Sequence, residues 1–414
     1  MSSNLAVLQD RSVLALLTAR SISLLGNAIM PIALAFAILG MPGGSATVLG
    51  LVLGTRMLTQ VIFVLLGGLV ADRWPRHRVM VRADLAAGVV QAAVGALIIS
   101  GEATPLLLAG LAALSGAAAA LFEPASRSLM PQLVDGEGLQ SANALLSLSM
   151  RGGSILGAAL GGVLVATLGA GFALLVDAGT FFASAAVLSA VRVTRPAPSR
   201  PSSTMFAALR EGWQEFISRQ WVWVMVAQMA FVNVLLAGSF YVLGPVVAKQ
   251  SLGGAAGWSV VLSTQAVGFV LGTMVAMRIR PANPIRVTAL ATIGFPLSLF
   301  FLAAGAPLVA VAAATFTAAI FIDVYEVMLD TSLQRHIPPE ALARVMSYES
   351  LGAFALVPLG AAVAGPIASQ IGVAATLTWA GVLIVVSAPL VLLVPSVRAV
   401  PALAEEPRPT GVTQ

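Results

Sequence analysis

Three carboxylates recur at helical spacing inside one long apolar run of this sequence. Asp323, Glu326 and Asp330 stand at positions i, i+3 and i+7, so a helix presents them on one face. A charge inside a transmembrane helix costs about 2.5–3.5 kcal/mol on insertion scales, which makes Asp323, near the middle of the run, a functional candidate. Such carboxylates can take up and release a proton or bind a cationic substrate. Alternatively, Glu326 and Asp330 reach water and pair with Arg335 or Arg344.

A second polar stripe lies in the first apolar run. Arg20, Ser23 and Asn27 again follow at i, i+3 and i+7, with Arg20 about 12 Å into the run. Arg20 and Asn27 are therefore candidates for substrate binding or proton coupling. The alternatives for Arg20 are a side chain that extends to the membrane interface or a static pair with another helix.

Single polar residues in other apolar runs form a third group. Asp177 lies in the sixth run and is either a coupling residue or a structural contact between helices. Gln228 and Asn233 lie in the seventh run, where they could serve as polar anchors of an apolar cavity or simply pack. Glu123 closes the fourth run, and we expect it to pair with Arg127.

Composition identifies the medium in which these groups work. Apolar residues make up 58% of the 414-residue chain and charged residues 9%, against roughly 45–50% and 25% in soluble domains. Together with a mean hydropathy of +0.96, this indicates an integral membrane protein. The net charge of +5 is interpreted as basic loops facing anionic lipid, with no nucleic-acid partner.

Several functional classes are excluded by what the chain lacks. It contains no cysteine and two histidines, so we expect no disulfide, metal site or cofactor. No G-x-x-x-x-G-K-[ST] motif occurs, which argues against transport driven by ATP on this chain. The polar loops are too short for a soluble catalytic domain, and we do not expect an enzyme.

Apolar runs bounded by charge, proline or glycine predict twelve transmembrane spans, because about 20 apolar residues cross a ~30 Å hydrocarbon core. The predicted spans are 12–39, 46–71, 79–100, 105–122, 139–167, 171–191, 221–248, 257–277, 285–304, 307–329, 345–369 and 373–394. Glycines at close spacing in the fifth span, Gly157, Gly161 and Gly162, predict tight helix packing. In the eleventh span, Gly360, Gly365 and Pro366 predict a kink.

A polar linker divides these spans into two sets of six. We predict an N-terminal bundle over residues 1–191, a linker over 192–220, a C-terminal bundle over 221–398 and a tail over 399–414. Residues 204–219 of the linker have the apolar spacing of an amphipathic interfacial helix. The segments after spans four and ten are weak repeats of one another. The predicted fold is therefore an all-α membrane protein with two pseudo-symmetric six-helix bundles and a cavity between them.

Orientation follows from the basic residues, which stay cytoplasmic in short loops. Of the 22 lysines and arginines, 18 fall on one side, Lys249 falls on the other, and Arg20, Arg56 and Arg151 lie inside spans. Both termini are therefore predicted to be cytoplasmic. The preference for arginine over lysine and the heavy use of alanine and glycine suggest a bacterial source and its cell membrane.

The densest charge cluster lies between spans two and three. Its members occupy fixed positions in the segment GGLVADRWPRHR: Gly68, Asp72, Arg73, Arg76 and Arg78. This segment resembles the loop 2–3 signature of the major facilitator superfamily, G-x-x-x-D-R-x-G-R-R/K, with Pro75 in place of the glycine. The resemblance implies that the cluster is a conformational switch, in which Asp72 pairs with an arginine and faces the start of span eleven near Val345. The alternative is a solvated loop charge that fixes topology.

Further segments are similar to the branch of that superfamily containing macrolide-efflux and enterobactin-exporter proteins. They are Ala19 to Gly26, Ala83-Asp84, Phe122 to Pro131, and Asp177-Ala178 with Phe181. Asn27 stands where many relatives carry an acid, and Ala158 replaces the proline of the antiporter signature G-P-x-x-G-G.

This resemblance implies proton-driven efflux of a hydrophobic or amphiphilic compound, such as an antibiotic or siderophore, by a monomer in the lipid bilayer. The alternatives are proton-linked uptake of a small metabolite and a transport-inactive sensor or scaffold.

Overall fold

The computed structural model describes residues 11–134, 136–191 and 205–400, and leaves undescribed some side chains within them, including those of 65–73. Within these ranges the chain is helical, with short turns and no strand. Helices prevail because lipid offers no hydrogen-bond partner to a backbone group, so each span must satisfy its own. Twelve of the described helical segments are long and apolar enough to cross a membrane, as predicted.

The first six spans have the following bounds. They are Arg11–Gly40, Ala46–Arg73, Arg76–Ser100, Pro105–Leu133, Gly136–Leu168 and Ala170–Ser189. Local chemistry marks some of these ends: Thr104 accepts a hydrogen bond from the Leu107 amide and Pro105 begins span 4, which is a typical helix start.

The C-terminal set is more segmented. A linker helix, Met205–Ser218, confirms the amphipathic helix predicted there. The spans that follow are: span 7, Gln220–Leu236 continued by a π-helical turn Ala237–Leu243 and Gly244–Ser251; span 8, Gly254–Ala276; span 9, Pro284–Ala291 and Leu297–Ala303; span 10, Leu308–His336; span 11, Pro339–Phe354 and Val357–Ile371; and span 12, Val373–Leu392. A short helix, Pro395–Ala399, ends the described chain.

Two helices continue well beyond the predicted ends of their transmembrane spans. Spans 4 and 10 continue as helix to Leu133 and His336, beyond the predicted ends at 122 and 329. A charge such as Glu123 ends the part of a helix that lies in lipid, but it does not end the helix, which continues into the polar region. The predicted bundle boundaries remain predictions, and most of the predicted tail and the linker segment 192–204 lie outside the described residues.

Span 11 breaks earlier than predicted. The two helices of the span are separated at Ala355 and Leu356, just before Pro358, because proline has no amide hydrogen to donate to the carbonyl four residues earlier. Gly360 and Gly365 have a different role from the predicted kink. A Cβ at Gly360 would collide with the Val234 carbonyl of span 7, and one at Gly365 with the backbone of Thr47 in span 2.

Packing within each half follows one pattern. In the N-terminal half span 1 packs on spans 5 and 6, span 2 on span 4, and span 3 on spans 4 and 6. In the C-terminal half span 7 packs on spans 11 and 12, span 8 on span 10, and span 9 on spans 10 and 12. Adding six to each span number converts the first set of contacts into the second. The two six-helix bundles are therefore pseudo-symmetric, as the weak sequence repeat predicts.

The halves meet along two equivalent pairs of spans, 2 with 11 and 5 with 8. Glycines allow both contacts: Gly50 lies against the Ala361 carbonyl, and Gly162 against Ser259. These residues all lie toward the end of the bundle opposite the charged loops 2–3, 4–5, 6–7, 8–9 and 10–11. We call the end with those loops the charged-loop side and the other the far side. Lys249 also joins the halves on the far side, where its Nζ donates to the Leu39 carbonyl at the end of span 1.

Candidate functional site

A cavity of about 1010 Å³ lies between the two halves. The N-terminal half contributes residues of spans 2 and 4 to its wall: Met57, Gln60, Val61, Val64, Glu123 and Pro124. The remaining lining residues come from spans 7 to 11, so the C-terminal half forms most of the wall.

The cavity extends toward the charged-loop side. Val64 lies in the last third of span 2, Glu123 near the end of span 4, and Arg344 near the start of span 11, and all three line it. On the far side, the glycine contacts between the halves close the space. The bundle is therefore open at one end and closed at the other.

Aromatic side chains give the cavity its chemical character. Six of them line it: Phe240, Tyr241, Phe269, Phe295, Tyr348 and Phe354. Six charged or amide groups are set among these rings and a larger number of aliphatic residues, namely Gln60, Glu123, Asn233, Gln265, Glu326 and Arg344. A large apolar surface with a few polar anchors is the usual composition of a site for an organic ligand.

The π-helical turn of span 7 supplies two of those aromatic residues, Phe240 and Tyr241. Such turns occur frequently at functional sites because the extra residue redirects neighbouring side chains. Gly238 lies against the Gly360 carbonyl of span 11 within the same turn. Hydrophobic periodicity did not predict this feature, although Pro245 one turn later is a local sign of disturbed helix geometry.

The three carboxylates of span 10 meet different surroundings. Asp323 is buried and its Oδ2 accepts a hydrogen bond of 2.5 Å from Thr273 of span 8. Glu326 lines the cavity, and Asp330 is exposed near the charged-loop side. Of the three carboxylates, the structure brings Glu326 to the candidate site.

The two amide residues of span 7 that were predicted as polar anchors of a cavity also lie in different surroundings. Asn233 lines the cavity and donates to the Ala353 carbonyl over 3.1 Å, at the break of span 11. Gln228 is buried between spans 7, 9 and 12, where its Nε2 donates to Thr292 and Ser387 at 3.2 Å each. Since Gln228 does not line the cavity, the structure places it in helix packing.

Arg20 forms a pair between spans 1 and 4. Its guanidinium lies 3.2 Å from Glu123 and 5.3 Å from the centre of the Phe122 ring, and Arg20 is 4% exposed. This is the interhelical pair considered as an alternative above, and it gives Glu123 a partner other than the expected Arg127, whose side chain is not described. Asn27 lies on the same helix and donates to Ser23 over 3.5 Å.

Asp177 is completely buried between spans 3 and 6. Gln91 of span 3 donates to its Oδ2 over 2.5 Å. A second buried acid, Asp84 of span 3, accepts a hydrogen bond of 2.5 Å from Ser184 of span 6. Sequence reasoning noted Asp84 as part of a motif but assigned it no role.

The predicted switch cluster lies where span 2 ends and span 3 begins. Span 2 runs to Arg73, and the side chains of Gly68, Asp72 and Arg73 are not described. Pro75 has φ −56° and ψ 120°, so no left-handed conformation, and hence no glycine, is needed there. Arg76 is half-buried and Arg78 is exposed. The gating role of this cluster remains a proposal.

Glycines of span 5 pack as the sequence predicts. A Cβ on Gly157 would lie 2.7 Å from the Ala28 Cβ of span 1, and one on Gly161 would lie 3.1 Å from the Ile29 Cα. Gly162 faces Ser259 of span 8 in the other half. Span 5 therefore packs tightly against its own bundle and the opposite one.

The linker helix reaches the cavity wall. Trp213 and Phe216 lie 5.5 Å and 6.0 Å from the ring of Tyr348, which lines the cavity. Gly212 permits this approach, since a Cβ there would lie 2.8 Å from the Arg344 Cβ. The predicted interfacial helix is thus packed on the first helix of span 11.

Comparison with known proteins identifies the family. The family model of the Major Facilitator Superfamily matches residues 16–348. The chain belongs to the major facilitator superfamily. It is a multi-pass membrane transporter, and its fold is the one predicted from the charge cluster and the span count.

Sequence relatives agree with the predicted branch. The chain is 27% identical over 368 residues to the multidrug efflux pump Tap of Mycolicibacterium fortuitum, covering 85% of this chain and 88% of Tap. It is 33% identical over 151 residues to the enterobactin exporter EntS of Salmonella paratyphi A, covering 36% of each chain.

Solved structures share the fold at low identity. A bacterial homolog of the human lysosomal transporter Spinster, inward-facing and unoccupied, matches with a TM-score of 0.72 and 15% identity over 94% of this chain and 97% of its own. The nucleoside transporter NupG matches with a TM-score of 0.75 and 11% identity over 92% and 98%.

Proposed function

We propose that this chain is a proton-driven exporter of hydrophobic or amphiphilic compounds, such as an antibiotic or siderophore, working by alternating access. The observation that carries the proposal is the large aromatic cavity between the halves. Its volume of about 1010 Å³ lies at the top of the range of roughly 300–1,000 Å³ found for drug-sized ligands. A small polar metabolite would leave much of that apolar surface without a partner.

Transport out of the cell is supported by the predicted orientation of the chain in the membrane and by its sequence relatives. The distribution of the basic residues supports a cytoplasmic location of the charged-loop side and of both termini, and with that orientation the cavity receives its ligand from inside the cell. The two relatives named above are an efflux pump and an exporter. We expect the protein to work as a monomer in the cell membrane.

Specific residues take three roles in this proposal. Glu326 and Asn233 are polar anchors in the cavity, facing its aromatic wall. Gly68, Asp72, Arg73, Arg76 and Arg78 form the switch that closes the charged-loop side in the outward-facing conformation. Gly157, Gly161 and Gly162 keep span 5 packed while the halves move.

The proton supplies the energy, because the sequence has no phosphate-cradling motif and its spans contain several carboxylates. Among the candidate carriers, Asp177 and Asp323 are both buried in helix contacts, one in each half. Arg20 of span 1 pairs with Glu123, and Asn27 follows Gly26, which lies against Asp177, so these two residues are placed to modulate that step.

Deletion of the gene and complementation against a panel of antibiotics, dyes and siderophores tests this function. Export predicts higher intracellular accumulation of at least one compound on deletion, greater sensitivity to it, and restoration by the wild-type gene. Lower accumulation on deletion would instead indicate uptake, and unchanged accumulation of every compound would indicate a transport-inactive protein.

A pair of phenylalanine variants tests whether the cavity holds the compound. Phe354 lines the cavity and is 53% exposed, so Phe354→Ala should change which compounds are exported without loss of protein. Phe231 of span 7 is 42% exposed but is not among the described lining residues, and Phe231→Ala should keep the wild-type profile. An unchanged profile in Phe354→Ala would contradict a role of this wall in binding.

A further inference from the structure

The linker helix, Met205–Ser218, contacts the cavity wall at two residues one helical turn apart. Arg344 and Tyr348 of the first helix of span 11 both line the cavity. A Cβ on Gly212 would lie 2.8 Å from the Arg344 Cβ and 3.1 Å from the Tyr348 Cε2. Residues four apart are neighbours on one face of a helix, so Gly212 covers both positions at once. The linker helix therefore forms an outer layer behind this part of the wall.

Aromatic rings of both helices meet beside that glycine. Trp213 lies 5.5 Å from the Tyr348 ring, Phe216 lies 6.0 Å from it, and the rings of Trp213 and Phe216 stack 5.7 Å apart. Phe216 is buried in this contact. Ring pairs at such distances attract one another beyond the effect of the area that they bury. The Tyr348 side chain is therefore held by the linker helix while it also lines the cavity.

The linker helix is fixed to the start of span 7. A single residue, Arg219, separates it from that span, which begins at Gln220. The Arg219 guanidinium donates to the Glu215 carbonyl over 3.1 Å and pairs with the Glu215 carboxylate. A cation at the last carbonyls of a helix stabilises that end. Since the helix also packs on span 7, its position relative to the C-terminal half is defined.

The two helices of span 11 have different neighbours. Pro339–Phe354 packs mainly on span 7 and on the linker helix, whereas Val357–Ile371 packs on span 2 of the other half as well as on spans 7 and 12. The break before Pro358 separates these two parts. The linker helix can therefore set the position of Tyr348 independently of the contact between the halves.

We propose that the linker helix determines which compounds the cavity accepts, by holding Tyr348 in place at the cavity wall. Its positioning residues are Gly212, Trp213 and Phe216. Tyr348 offers a bound compound an aromatic face and a hydroxyl, and a ring that is already ordered loses less freedom on binding than a mobile one. The effect on selectivity rests on the export function proposed above, whereas the positioning of Tyr348 does not.

Fluorine NMR of the full-length protein in lipid nanodiscs tests the positioning without a substrate. The chain contains three tyrosines, Tyr241, Tyr325 and Tyr348, so labelling with fluorotyrosine gives three signals, and Tyr348→Phe identifies the third. Trp213→Leu should shift and narrow the Tyr348 signal, because that ring loses a neighbour that shields it and restricts its motion. The other two signals should stay in place. An unchanged Tyr348 signal would overturn the proposal.

Ile217→Ala is the matched control for Trp213→Leu. Ile217 is 46% exposed and Trp213 is 48% exposed on the same helix, but isoleucine has no ring to pair with Tyr348. Ile217→Ala should leave all three signals unchanged, and Trp213→Phe, which keeps a ring, should restore the wild-type width. A shift in Ile217→Ala as large as that in Trp213→Leu would indicate a general disturbance of the helix and contradict the specific role of Trp213.

Gly212→Ala tests the same contact without removing a ring. The added Cβ would meet the Arg344 Cβ, which cannot move without its backbone, so the two helices must separate and the Tyr348 signal should shift. Gly110→Ala of span 4 is the control, because a Cβ there would meet no described atom within 4 Å. Equal spectra of the two alanine variants would refute the close approach of the linker helix to Tyr348.

Export of the compounds identified by the panel tests selectivity. Trp213→Leu should raise the half-saturating concentration of some compounds about two- to tenfold, the equilibrium effect of one aromatic pair, with the maximal rate retained. Tyr348→Leu should affect the same compounds, and the double variant should lose no more than Tyr348→Leu alone, because the linker helix acts through Tyr348.

Additive losses in the double variant, or a wild-type profile in Trp213→Leu, would overturn the selectivity role. A wild type that exports no panel compound would refute the proposed function and with it that role. The fluorine spectra decide in either case whether the linker helix positions Tyr348.

Discussion

Carboxylates separated by one or two helical turns have different surroundings in this protein. Asp323 is held by Thr273 at the contact of spans 8 and 10, while Glu326 lines the cavity one turn later. A buried acid with a hydroxyl donor can serve packing or proton binding, whereas an acid in an aromatic cavity can contact a ligand directly. The position of the side chain relative to the cavity therefore decides which roles are open to it.

At Asp72 the prediction concerns a single charge at the end of span 2. Val64 of the same span and Leu351 of span 11 line the cavity on this side, so the cavity separates the two spans there. When that side closes, Asp72 should approach the start of span 11, where a helix dipole and an arginine favour a negative charge. Asp72→Asn is expected to reduce export about tenfold, which corresponds to ~1.4 kcal/mol, with normal membrane insertion.

Asp330→Asn serves as the control for that measurement, because Asp330 is an exposed acid near the same side of span 10. It should export at the wild-type rate. Undiminished export by Asp72→Asn in drug-loaded cells would rule out the switch and leave Asp72 as a determinant of topology.

Helices of this chain approach one another closely at glycines, because glycine has no side chain to keep them apart. Gly157 lies against Leu25 and Ala28 of span 1, whereas a Cβ on Gly152 of the same span would meet no atom within 4 Å. The two positions differ in packing but share a helix and a residue type. They therefore separate the cost of a collision from the intrinsic effect of replacing glycine in a helix.

Gly157→Ala should lower the thermal unfolding midpoint, because overpacking costs roughly 1–3 kcal/mol. Gly152→Ala should leave the midpoint unchanged or raise it, since alanine is the better helix former by about 1 kcal/mol. Both variants can be measured by thermal unfolding in the same detergent. Equal midpoints would contradict the close approach of spans 1 and 5.

Sequence predicted the elements well where a single physical rule governs them. Lipid requires long apolar helices, so all twelve spans and the linker helix were predictable. Features that depend on contacts between distant segments could not be predicted from the sequence. The break before Pro358, the π-helical turn at Phe240 and the bond from Ser184 to Asp84 depend on which helix faces meet, and the span pattern does not determine that.

The site was predictable only in part for the same reason. Glu326 and Asn233 were correctly singled out as polar groups in apolar spans, and both reach the cavity. Gln228 is also a polar group in an apolar span, but it forms hydrogen bonds between helices instead of lining the cavity. A polar residue in a span signals either packing or function, and the choice depends on the partners that the fold provides.

At the scale of the whole molecule, the halves touch on one side and enclose a cavity on the other. The far-side contacts include Gly50 with Ala361, Gly162 with Ser259, and Lys249 with the end of span 1. Pseudo-symmetry makes the contact of spans 2 and 11 equivalent to that of spans 5 and 8, so rotation of one half can open both together. Export requires that the far side opens as the charged-loop side closes.

Distances between paired spin labels test this central claim directly, and the chain has no native cysteine to interfere. One pair, Pro42→Cys with Gln250→Cys, reports the far side, and the other, Ala190→Cys with Gln334→Cys, reports the charged-loop side; all four positions are exposed. With an exported compound and a low external pH, the first distance should lengthen and the second shorten in the same fraction of molecules. Distances that stay fixed, or two sides that open together, would contradict alternating access through this cavity.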